Sequence, residues 1–172
     1  TVKKDMHVIS SSEKVELLVN GKSLGFGEQR HRFLYTFKNV AWTPGTITAI
    51  GYNESNVKVC ETSKKTAGNP EAIRLTPIVN PTGFKADGVD MALVEVEVID
   101  KDGNRCPTAL NTIDFSLEGP AEWRGGIAQG PDNYILSKVI PVECGVNRVF
   151  VRSTVKAGKI TLKASSASLK PA

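Results

Sequence analysis

Apolar residues recur at every second position in short runs, and each run is closed by glycine, proline, asparagine or aspartate. Val15, Leu17 and Val19 alternate with Glu16 and Leu18, while Ala92, Val94, Val96 and Val98 alternate with Leu93, Glu95, Glu97 and Ile99. A period of two sends successive side chains to opposite faces of an extended strand, whereas a helix would repeat its apolar positions every three or four residues. Helical periodicity is missing almost everywhere. A strand with one apolar face must bury it against another layer, so the pattern predicts an all-β chain built of packed sheets.

The punctuation supports the same reading. Asn20-Gly21 tolerates the positive φ that a two-residue hairpin demands, and residues 22–25 form the expected return strand. Pro44-Gly45, the polar run 53–56, Asp102-Gly103-Asn104 and Ala157-Gly158 mark further turns, within a total of fifteen Gly and nine Pro. An opening strand is expected over 6–9. A strand over 32–37 is expected to put Phe33, Tyr35 and Phe37 on one core face. Strands over 46–52 and 57–62 complete about seven in the first part of the chain. Residues 66–70, Thr-Ala-Gly-Asn-Pro, lack periodicity and end in a residue that cannot donate to a ladder. A second series begins at Ala72 and includes 92–98, 113–117, 148–152 and 159–164. The least regular stretch, 123–138, is expected to form an irregular sandwich edge shaped by Gly125, Gly126 and Gly130. The prediction is two tandem immunoglobulin-like β-sandwich domains, residues 1–66 and 67–172, the second of ordinary size for that architecture.

Composition excludes several functions. With 40% hydrophobic and 23% charged residues the chain has the makings of a packed core. The net charge of +4 comes from 22 basic and 18 acidic residues, dispersed without a stripe interleaved with aromatics, so no nucleic-acid partner is expected. No run approaches the ~20 apolar residues of a membrane span, and no charged-then-apolar leader opens the chain. Cys60, Cys106 and Cys144 are too far apart for a Cys-x-x-Cys motif. They read as isolated thiols, and Cys106–Cys144 is the one pairing available within a domain.

The segment 15–25, VELLVNGKSLG, followed by 44–52, PGTITAIGY, resembles the immunoglobulin-like domain that follows the barrel in bacterial glycoside hydrolase family 2 enzymes, the β-galactosidase family. Residues 86–90, 100–104, 147–154 and 157–164 resemble the last sandwich of those enzymes, itself similar to invasin-type repeats. The resemblance implies a non-catalytic tail whose partner is the catalytic barrel of a parent enzyme, in the periplasm or outside a bacterial cell. In that family two glutamates on a barrel of about 250 residues hydrolyse the glycoside. A 172-residue chain already committed to sandwiches has no room for that barrel, and no cofactor is implied.

Candidate chemistry within the chain is sparse. Asn53-Glu54 resembles the pair that carries the family's acid/base carboxylate, but it stands in a polar turn, without the burial and second carboxylate a general acid requires. Asn53-Glu54-Ser55 also matches a glycosylation acceptor. Asp100–Asn104 imitates the start of a calcium loop, yet Arg105 stands where the turn glycine belongs and Asn111 where the bidentate glutamate belongs. An Asx-rich hairpin turn fits better. His7 and His31 lack ligand-spaced partners, and no Gly-x-Ser-x-Gly elbow occurs. Aromatics remain. Trp42, Trp123 and Tyr134 are the candidate carbohydrate-binding residues, since sugar rings present apolar faces to exposed rings. Core packing is the more ordinary use of both tryptophans. An accessory, structural role is therefore expected, with a carbohydrate-binding module or an adhesin-like spacer as alternatives.

Overall fold

The computed structural model describes residues 2–172, and its regular structure is entirely β-strand. Two compact units divide the chain, residues 1–66 and 67–172.

The first unit contains β1 (Lys3–Ile9), β2 (Lys14–Val19), β3 (Lys22–Phe26), β4 (Glu28–His31), β5 (Leu34–Ala41), β6 (Thr46–Tyr52) and β7 (Lys58–Lys65). A three-stranded sheet, β1-β5-β4, faces a four-stranded sheet, β3-β2-β6-β7. Asn20 and Gly21 turn β2 into β3 with φ of 51° and 79°, the left-handed pair a tight hairpin requires. Val15, Leu17, Tyr35 and Phe37 fill the interior, with Met6, Val8, Val40, Ile47 and Ala49 packed around them. Tyr35 is 1% exposed, and its hydroxyl donates to the Ser12 carbonyl, so its one polar side-chain atom is satisfied inside the core.

Two expectations change here. Phe33 does not join the core: Arg32 and Phe33 form the turn between β4 and β5, and the Phe33 ring lies outside under the Arg32 guanidinium, 5.1 Å from the centroid. β4 carries no periodic signal in the sequence, because its polar residues are all exposed on an edge strand and leave no alternation to read.

The second unit contains β8 (Ala72–Ile78), β9 (Met91–Ile99), β10 (Thr112–Glu118), β11 (Ala121–Gln129), β12 (Asp132–Ile135), β13 (Val139–Pro141), β14 (Val146–Ser153) and β15 (Thr161–Ser165). A five-stranded sheet, β12-β11-β14-β9-β8, covers a three-stranded sheet, β13-β10-β15. Burial alternates along β9, with Val96 and Val98 fully enclosed together with Ile113 and Val149. The stretch expected to be irregular is a β-hairpin, β11–β12, on the sheet edge. Register shifts flank Gly125 against both β14 and β12, which moves the inward face by one residue and erases the period-2 signal. Gly125, at φ 76°, is required there: a Cβ would stand 2.4 Å from the Leu136 amide nitrogen. All three cysteines are free, Cys106 buried and Cys60 and Cys144 exposed.

Candidate functional site

Trp42 follows the last residue of β5, and its backbone N–H donates to the Val2 carbonyl at 2.9 Å. Its side chain is 61% exposed, contrary to the core position expected of it. The reason is positional. The β1–β5 ladder ends at the Lys3–Ala41 pair, and beyond it the chain leaves the sheet for the Pro44-Gly45 turn, carrying Trp42 past the covered interior.

The indole borders a groove of about 790 Å³ at this end of the first sandwich. Met6, Val19, Val40 and Ile47 supply apolar lining from strands of both sheets. Lys4, Lys64 and Lys65 also line it, and no Asp or Glu does. The neighbouring turn is pinned by the Asn20 side chain, whose Oδ1 accepts from the Thr46 N–H at 2.8 Å while Nδ2 donates to the Pro44 carbonyl at 3.0 Å. Gly45 must be glycine: at φ 133°, its Cβ would fall 1.8 Å from Asn20 Oδ1. Charge is distributed unevenly between the units. Residues 1–66 carry ten Lys and Arg against six Asp and Glu, whereas 67–172 carry twelve against twelve. The net positive charge of the chain therefore belongs to the unit that holds the groove.

Trp123 and Tyr134 belong to the other unit. Trp123 sits in β11 and packs against the second core, its ring centroid 5.3 Å from that of Phe115 and tilted by 31°. Its indole N–H donates to the Ser137 carbonyl at 2.9 Å. Tyr134, in β12, packs against the same core; burial first, then the charge of Asp132, pushes its phenol pKa up. The fold thus brings these two together on one hairpin with much of their ring surface already engaged, while Trp42 stands in a different setting.

The polar candidates occupy turns. Asn53 Oδ1 accepts from the Val57 N–H at 2.9 Å, and Glu54 is exposed beside it. Asp100 is buried and accepts from the N–H groups of Gly68, Asp102 and Asn104 at 2.7, 2.9 and 2.8 Å. The Gly68 N–H, then the Asn104 side chain, hold its carboxyl far below the ordinary carboxylate range. Its lone pairs are spent on ordering the 100–104 turn and seating Gly68. Glu16 is lowered by hydrogen bonds from Ser23 and then Tyr52, a cross-strand cluster on β2, β3 and β6. Among the described residues, no group of three or more His, Cys, Asp or Glu is placed to hold a metal ion. Among the described residues, no helix is long and apolar enough to cross a membrane.

Comparison with known proteins places these features in a family context. The family described as glycoside hydrolase family 2 C-terminal domain 5 matches residues 73–172, and a domain of unknown function, DUF4982, matches residues 2–60. A β-glucuronidase of Formosa agariphila is 41% identical over 98% of this chain, which spans 17% of that enzyme. A β-galactosidase of Bacteroides ovatus is 35% identical over 95% of the chain, which spans 19% of it. Among solved structures, a family 2 β-glucuronidase superposes with a TM-score of 0.90 at 40% identity, covering 99% of this chain and 18% of its own. A family 2 member from Bacteroides cellulosilyticus superposes at 0.86 and 30% identity, covering 99% of this chain and 23% of its own. The chain therefore spans about a fifth of the length of the relatives it matches.

Proposed function

The chain belongs to the glycoside hydrolase family 2 C-terminal domain 5 family, and from that membership we propose that it is the non-catalytic, structural tail of a larger glycosidase of the β-glucuronidase or β-galactosidase type. The observation that carries this reading is the breadth of the alignment: 98% of the chain falls on only 17% of a β-glucuronidase. A catalytic (β/α)8 barrel takes about 250 residues of alternating strand and helix, and every regular element among the described residues is a strand of a sandwich.

Its task is to pack against the barrel of the parent enzyme and hold the neighbouring modules in place. The surface of the second unit suits that task. Ile127, Ile135, Leu136 and Val139 are each about half exposed on or beside the β11–β12 hairpin, the sort of apolar patch that marks a contact between domains. Leu136 also holds φ at 62°, a left-handed conformation that costs a leucine about 1–2 kcal/mol. A periplasmic or extracellular setting and a role in carbohydrate breakdown follow from the same family reading.

The test is enzymatic. The purified chain is expected to release no chromophore from aryl β-glucuronides or aryl β-galactosides, and deleting it from a parent enzyme is expected to lower that enzyme's melting temperature. Turnover by the isolated chain that disappears when one of its own carboxylates is changed to the amide would overturn the proposal.

A further inference from the structure

We propose that the groove beside Trp42 in the first unit binds an acidic glycan, the indole stacking on a sugar ring while Lys4 and Lys64 meet its carboxylate or sulfate groups. The inference goes beyond the structural role and stands on the first unit alone.

Four observations converge on this groove. Trp is ordinarily among the most covered residues of a folded chain, yet Trp42 is 61% exposed. Its indole N–H makes no hydrogen bond among the described residues, leaving a donor as well as a flat apolar face on offer. At about 790 Å³ the groove falls within the ~300–1,000 Å³ typical of small-molecule sites, and its lining comes from half-buried side chains of both sheets, Met6, Val19, Val40 and Ile47, which give it a formed wall. The ionisable residues lining it are all lysines, and they belong to the unit that carries the net positive charge.

Those features select among ligands. Neutral glycans would use the aromatic plate but gain nothing from the lysines. An acidic polypeptide would use the lysines, but a flexible chain must be ordered before it can present a face to the indole. A pyranose ring is rigid, has one apolar face, and carries its acid group at a fixed distance from that face, which suits a plate with charges at its margin. Lysine acts as a compact point charge without arginine's planar fork, so carboxylate and sulfate ester are both accepted. Exposed charges of this kind are screened over about 8 Å at physiological ionic strength, and binding should weaken as salt is raised.

Isothermal titration calorimetry of the whole 172-residue chain tests this, using hexagalacturonate as the acidic probe, cellohexaose as the neutral one and poly-L-glutamate as the polypeptide. Hexagalacturonate is expected to bind saturably with a change in tryptophan fluorescence, at least tenfold more tightly than cellohexaose. Trp42→Ala should weaken it at least tenfold and Trp42→Tyr by no more than about threefold, because tyrosine keeps a stacking face. Lys4→Gln and Lys64→Gln should each cost roughly three- to fivefold and reduce the salt dependence. The lysine variants leave Trp42 in place and supply a separate readout should Trp42→Ala fold poorly by circular dichroism. Absence of saturable hexagalacturonate binding, binding unaffected by Trp42→Ala and by the lysine changes, or equal binding of poly-L-glutamate through the same residues overturns the proposal.

Discussion

Ile113 offers a direct measure of how much of the second unit rests on its interior. The side chain is completely buried in β10, opposite Ile140. Ile113→Ala removes three carbons at about 0.8 kcal/mol each, and a residual cavity of about 50 Å³ adds roughly 1 kcal/mol at ~24 cal/mol per Å³. The expected loss is about 3.5 kcal/mol. Ile113→Val removes one carbon and should cost about 1 kcal/mol. In a domain of this size each kcal/mol moves the melting temperature by roughly 4–8 °C, so the alanine variant should melt roughly 15–25 °C lower. Trp123 reports on the same unit, being packed against Phe115 with its indole N–H bonded to Ser137. Urea denaturation followed by its fluorescence, in a Trp42→Phe background, isolates that signal. The control is Ile135→Ala, 56% exposed on β12, which should cost less than about 1 kcal/mol. An Ile113→Ala loss below about 1 kcal/mol, or a loss smaller than that of Ile135→Ala, refutes the placement of Ile113 at the centre of the second core.

The Asp100 carboxylate, held well below its ordinary value by the Gly68 and Asn104 hydrogen bonds, binds protons more weakly folded than unfolded. Its contribution is thus full above the unfolded pKa of roughly 4 and is lost as pH falls toward the lowered folded value; urea midpoints at pH 6 and pH 3 should fall less in Asp100→Asn than in the unaltered chain. Asn20→Ala removes both side-chain hydrogen bonds to the Pro44–Thr46 turn and puts alanine at φ 51°. A loss of about 2 kcal/mol for the first unit is expected, read from urea unfolding by circular dichroism; Asn20→Gly, which restores the backbone freedom but not the hydrogen bonds, should recover part of it.

How far the candidate site could be read in advance varied with the range of the information. Alternation over 92–98 is a local property of the backbone, so β9 and its buried face follow from residue order alone. Asn20-Gly21 carries its own conformational preference, and the hairpin forms where it stands. Phe33 misled because the period-2 pattern continues through it while the chain is already turning: the pattern specifies which face a residue would take in a strand, not where the strand begins. The β11–β12 hairpin was hidden for the opposite reason, its bulges at Gly125 breaking an alternation that the extended backbone still obeys.

Residue order by itself settled the class of the fold, because the φ of glycine, the missing N–H of proline and the two-residue repeat of a strand act within a few residues of one another. Only the packed sheets decided where Trp42 and Trp123 stand. Both are single tryptophans beside apolar runs, but one extends past the end of its ladder into an open groove and the other closes over Phe115. The groove itself is invisible along the chain. Lys4, Val19, Val40 and Lys64 lie far apart in sequence and become neighbours only when strands of two different sheets end at the same rim, a condition set by long-range register that no short stretch of sequence contains.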